Sequence, residues 1–189
     1  MRESCTLSCQ TKDYLARFYE ILDAMIRGMN GAELTGSISH NFIVQMIPHH
    51  RAAIEMSENA LPHISGCPLR RIASGIIAAQ TKSIADMEAA LPRCASLCGP
   101  PRDLALYQRR MDLIYQTMFS EMGSAPETDC IAANFMREMI PHHEGAIRMS
   151  ENALKYGVCP ELVPILRAII TSQRRGVAEM RALLRQGGR

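Results

Sequence analysis

Tryptophan is absent from this chain, and aromatic residues make up only 5% of its 189 positions. A protein that stacks bases on aromatic platforms needs more than that. An excess of one charge is also lacking: 21 Lys and Arg face 19 Asp and Glu, for a formal net charge of +2. This balance excludes a basic or acidic tail protein and removes the electrostatic case for nucleic acid. No uninterrupted apolar run approaches the ~20 residues of a membrane span. The opening stretch, Met1 to Gln10, is polar and carries two cysteines, unlike a secretory leader. The expectation is a cytoplasmic protein with neither nucleic acid nor membrane as partner. The sequence also lacks a G-x-S-x-G elbow, a Walker loop, an H-E-x-x-H pair and a glycine-rich dinucleotide fingerprint. Nothing in it marks an enzyme.

Hydrophobic residues are plentiful at 47%, enough for one domain over residues 1–189 with a core of its own. Sulfur is plentiful too, with 13 methionines and 7 cysteines. An odd cysteine count leaves at least one unpaired within the chain, and a reducing cytoplasm would keep most as thiols. Methionine ordinarily fills core gaps, and buried cysteine behaves as a small hydrophobe.

The chain repeats itself. Residues 41–61 read NFIVQMIPHHRAAIEMSENAL and residues 134–154 read NFMREMIPHHEGAIRMSENAL, with 15 of 21 positions identical at an offset of 93. Met25, Met29, Gln80 and Met87 recur as Met118, Met122, Gln173 and Met180 at the same offset. Two long copies are too few for an open array. They predict two halves of one bundle, spanning about 11–93 and 102–187, related by a pseudo-two-fold axis.

Apolar spacing predicts three helices per half, near 14–29, 39–61 and 68–91, then 104–122, 131–156 and 160–184. Tyr14, Phe18, Ile21, Leu22 and Met25 form the inner face of the first. Ile72, Ile76, Ala79, Ser83, Ile84 and Met87 form that of the third, with Gln80 on the same stripe. No segment alternates with a strand's period of two, so the fold class is all-α. Pro48 and Pro141 fall where the apolar stripe continues in phase, which predicts continuous but kinked central helices. The carbonyls one turn earlier, at Val44 and Arg137, lose their partners.

A helix advances about 100° per residue. By that advance His49, His50, Ala53 and Met56 all fall within a quarter turn of Met46, His50 to one side and the other three to the other. Two imidazoles and two thioethers therefore share one apolar stripe. Met139, His142, His143, Ala146 and Met149 repeat it. Arg51 becomes Glu144 and Glu55 becomes Arg148, so charge inverts on the outer face while every inner donor stays. By this phase the central-helix glutamates all face outward. A single histidine on an apolar face is ordinarily a hydrogen-bonded core residue. Four of them, twice beside methionines at the same spacing, point to a metal. Thioether selects Cu(I), and imidazole suits copper, zinc, iron and nickel. A copper ion is the expected cofactor, with zinc or another transition metal as the alternative. Gln80 and Gln173, if buried, need partners: a histidine nitrogen or an ordinary interhelical contact. Met25, Met29, Met118 and Met122 read as core. His40 and His63 lack counterparts and read as surface.

The duplicated MIPHH followed by A-I-x-M, with Gln and Met on the next helix, resembles the bacterial family called domain of unknown function 305. The resemblance implies a ferritin-like four-helix bundle built from two histidine-pair units, some members being similar to periplasmic copper-binding proteins of copper resistance. It carries over Met46, His49, His50 and Met56 with Met139, His142, His143 and Met149 as metal ligands, and Gln80, Met87, Gln173 and Met180 as supporting residues. That family often has a glutamate three residues after the glutamine. Here those positions are Ser83 and Gly176.

Cys5 and Cys9 are four apart, as are Cys94 and Cys98, each pair being expected ahead of the first helix of its unit. Cys67 and Cys159 are expected at the starts of the third helices, and Cys130 ahead of the second central helix. Three readings stand: free thiols, a disulfide tying one chain end to the central joint, or a landing site for a soft metal. For function, the leading expectation is binding of a soft metal for buffering, storage or delivery. The alternatives are a structural or interaction bundle with histidines in its core, and a ferritin-like metalloenzyme. The last needs inward glutamates and Glu-x-x-His pairs, and no histidine here has a glutamate three residues before it.

Overall fold

The computed structural model describes residues 7–187. Six α-helices follow one another: α1 (Cys9–Asn30), α2 (Ile38–Ala60), α3 (Cys67–Cys94), α4 (Pro101–Gly123), α5 (Ile131–Ala153) and α6 (Leu162–Gly187). A short 3-10 turn, Leu61–His63, follows α2. Among the described residues there are no strands, and no helix is long and apolar enough to cross a membrane. The fold is an all-α helical bundle, as the spacing predicts.

The packing repeats with the sequence. In each half the middle helix is flanked by the other two: α2 by α1 and α3, α5 by α4 and α6. The halves meet where α2 packs on α5 and α3 on α6. Those four helices close a ring, and α1 and α4 cover the backs of α2 and α5.

Local chemistry sets the ends. Ser8 caps α1 by accepting from the Thr11 amide, and Ser37 caps α2 by accepting from His40; such caps satisfy amides that have no partner within the helix. Ahead of each central helix an asparagine clamps the incoming loop. Asn41 Oδ1 accepts from the Thr35 amide at 2.7 Å and its Nδ2 donates to the Thr35 carbonyl at 3.0 Å. Asn134 does the same with Thr128 at 2.9 and 2.7 Å. Both prolines lie within continuous helices. Gly28 lets α1 approach the first of them: a Cβ there would stand 2.8 Å from Pro48 Cβ. Gly145 does likewise for Met118, whose side chain occupies the space a Cβ would take.

The core holds every residue expected on the inner face of α1, and also Met25, Met29, Met118 and Met122. The ends differ from expectation by a few residues: α1 and α4 begin earlier, α3 and α6 run on longer, and α5 stops at Ala153. Ala79, expected inside, is exposed, because α3 and α6 leave a groove between them. His40 and His63, expected at the surface, are half-buried; His63 Nδ1 is 3.0 Å from Gln10 Nε2.

The cysteines sort differently from the end-to-joint pairing. Cys94, the last residue of α3 rather than part of the approach to α4, forms a disulfide with Cys159 ahead of α6, with Cα atoms 5.3 Å apart. Cys9, Cys67, Cys98 and Cys130 are free and exposed. Cys5 lies outside the described residues.

A histidine row as candidate metal centre

Each central helix delivers its MIPHH segment to the middle of the bundle. Met46, His49, His50 and Met56 on α2 are buried, as are Met139, His142, His143 and Met149 on α5. Ala53 and Ala146, also buried, leave the space that these long side chains fill. Met87 and Met180 close the core from α3 and α6 with no exposure at all.

The four imidazoles form a row across the α2·α5 interface. His49 and His142, one from each half, lie ring against ring with centroids 3.7 Å apart and planes inclined by 30°. His50 flanks one end, 5.9 Å from His49, and His143 the other, 5.8 Å from His142. His142 Nε2 donates to the His49 carbonyl at 3.1 Å. That bond fixes the tautomer, so His142 Nδ1 carries a bare lone pair.

Burial governs the protonation of the row. It is the largest cause in all four residues. His50 is pushed down to about 3, with repulsion from His142 adding to burial. His142 falls to about 4, its bond to the His49 carbonyl opposing the drop. His49 and His143 are held well below the ordinary histidine value by burial and then by neighbouring imidazoles. All four are neutral near pH 7, the form that ligates metals.

Polar satisfaction along the row is poor. Buried nitrogens without a hydrogen-bond partner are both ring nitrogens of His49 and the Nδ1 atoms of His50, His142 and His143. Leaving such a group unpaired costs about 1–3 kcal/mol, so five in one row is a large departure from ordinary core chemistry. Gln80 and Gln173 are buried beside the row, but their Oε1 atoms have no partner either. Neither bonds a histidine nitrogen. That contact comes from Ser83, whose Oγ lies 3.0 Å from His50 Nε2.

The family whose description reads "Domain of unknown function (DUF305)" matches over residues 23–91 and 39–184, the second span covering both histidine pairs. The chain belongs to that family. Two solved structures resemble this DUF305 chain. One is a DUF305 fragment from Deinococcus radiodurans, 26% identical, covering 79% of this chain and 96% of the fragment with a TM-score of 0.57. The other is CopM in a silver-bound form obtained by soaking, also 26% identical, covering 78% of this chain and 95% of CopM with a TM-score of 0.59. No curated protein matches.

Two features of this DUF305 chain escape its sequence. Glu138, on central helix α5, faces inward rather than out. It is 2% exposed and accepts a 2.5 Å hydrogen bond from Tyr14 of α1. Burial pushes its carboxyl up to about 7, with Glu127 adding to the shift and the Tyr14 bond opposing it. The second feature is a cluster of Cys94, Cys159 and Glu161 with ligand atoms within 4.8 Å of one another. Its two sulfurs are joined in the disulfide.

Proposed function

We propose that this protein binds a soft transition-metal ion, copper(I) first, in the histidine row between α2 and α5, to buffer, store or deliver it. The observation that carries the reading is the set of five unpartnered imidazole nitrogens buried among methionines. Neutral imidazole and thioether are the donors a soft ion prefers, and a dry pocket of them disfavours harder ions. His49, His50, His142 and His143 would hold the ion, with Met46, Met56, Met139 and Met149 as sulfur donors. Gln80, Met87, Gln173 and Met180 would support them. The silver in CopM fits the same preference.

A carboxylate-bridged metal enzyme is less consistent with these residues. The inward glutamate, Glu138, is committed to Tyr14.

The test is anaerobic Cu(I) titration against a chromophoric chelator, with every cysteine outside the Cys94–Cys159 disulfide alkylated. Tight binding lost in His49→Ala/His142→Ala is expected. At a free metal concentration of 100 times Kd, binding should also stabilise the fold by about 2.7 kcal/mol. Unchanged affinity in that double variant would move the histidines back to a purely structural role.

A further inference from the structure

The two ends of the histidine row differ. At one end Ser83 Oγ occupies His50 Nε2 at 3.0 Å. At the other the equivalent residue is Gly176, where a Cβ would stand only 3.1 Å from His143 Cδ2 and 3.2 Å from Nε2. Both ends open on the groove between α3 and α6, whose volume is about 1180 Å³. Its rims match: Lys82 pairs with Asp86 at 2.6 Å on α3, and Arg175 with Glu179 at 2.8 Å on α6. The walls are thus pseudo-symmetric, while the floor is closed by a hydroxyl at His50 and by glycine backbone alone at His143, which is 2% exposed.

We propose that the α3·α6 groove is the route by which a metal ion reaches the row, and that the ion is taken first at Nε2 of His143. Ser83 is a positioning residue that holds the His50 end shut. Whichever tautomer His50 adopts, its Nε2 is engaged with Ser83, so a metal can take that nitrogen only after the hydrogen bond breaks. His143 Nε2 carries no such bond, and Gly176 presents no side chain above it. A net hydrogen bond of typical strength disfavours metal capture at His50 by about fivefold relative to His143. The proposal rests on the metal-binding reading above, and its test separates the two.

The first arm uses metal-free protein. Brief diethyl pyrocarbonate treatment, read by peptide mapping, should modify His143 before His50, His49 and His142. Ser83→Gly should raise His50 reactivity to that of His143, and Gly176→Ser should slow His143. Equal wild-type rates at His50 and His143, or no response of His50 to Ser83→Gly, would overturn the asymmetry. Helical circular dichroism confirms that each variant is folded. The second arm adds Ag(I) below one equivalent, with exposed thiols alkylated, and follows the imidazole nitrogens by NMR. Nε2 of His143 should shift first. A first shift at His50 overturns the order of capture. Silence of all four rings overturns the metal reading, while the reactivity difference measured in the first arm stands or falls by itself.

Discussion

Acid should unfold this protein in a way that counts its buried histidines. In the unfolded chain each of the four titrates near pH 6.5. In the folded chain burial holds His50 at about 3 and His142 at about 4, and His49 and His143 well below the ordinary value. Between pH 5 and 6 the unfolded state therefore takes up close to four protons that the folded state refuses, and stability falls as pH drops. Glu138 works in the opposite sense. Its folded value of about 7 lies above its ordinary 4.5, so over the same range the folded state holds one proton that the unfolded state has released. The net difference is about three protons, a slope of about 4 kcal/mol per pH unit. From pH 7 to 5, allowing for partial titration near 6.5, the loss is about 5 kcal/mol, comparable to the whole stability of a marginal domain. Urea titrations of chelator-treated protein at half-unit steps of pH would measure it. His49→Ala/His142→Ala should remove about half the histidine contribution, and Glu138→Gln should steepen the slope by about one proton. A wild-type slope below one proton between pH 5 and 6 would refute the picture of four buried neutral imidazoles.

Two further outcomes follow from packing and cross-linking. Gly145→Ala should lower stability by about 1 kcal/mol net, because overlap with Met118, about 1–3 kcal/mol, outweighs the roughly 0.5–1 kcal/mol that alanine gains in a helix; an unchanged or raised urea midpoint would contradict it. Reducing Cys94–Cys159, which closes a loop with a sequence separation of 65, should cost up to about 4 kcal/mol. A urea midpoint unmoved by a phosphine reductant would show that the staple contributes nothing.

Much of the candidate centre was legible in the sequence. The duplicated motif and the helical period place Met46, His49, His50 and Met56 inside, and the inverted charges Arg51/Glu144 and Glu55/Arg148 mark the outside. The same period misplaces Glu138. A two-faced helix has an inside and an outside, but more than half of each 23-residue central helix is buried, because α1 and α4 cover what would otherwise be its back. Glu138 sits about 100° from Met139, on the side that α1 covers, so its polarity is misleading. The disulfide was hidden for another reason. Cys94 and Cys159 occupy inequivalent places in the two repeats, and only the closing of α3 on α6 brings them together. The contact expected of Gln80 falls instead to Ser83, one helical turn on, where the short hydroxyl reaches His50 and the glutamine oxygen stays unpaired.

The covalent joint between the halves, Ala95 to Pro100, has a genetic consequence. Had one three-helix unit assembled as a homodimer, every codon change would be written twice, and both ends of the histidine row would change in step. Fusion lifts that constraint. A serine can arise on one side and a glycine on the other, Glu138 can stand where the first copy keeps Gln45, and a cysteine can find a partner in the opposite half. The duplicated chain keeps the geometry of a symmetric pair while each copy is free to specialise.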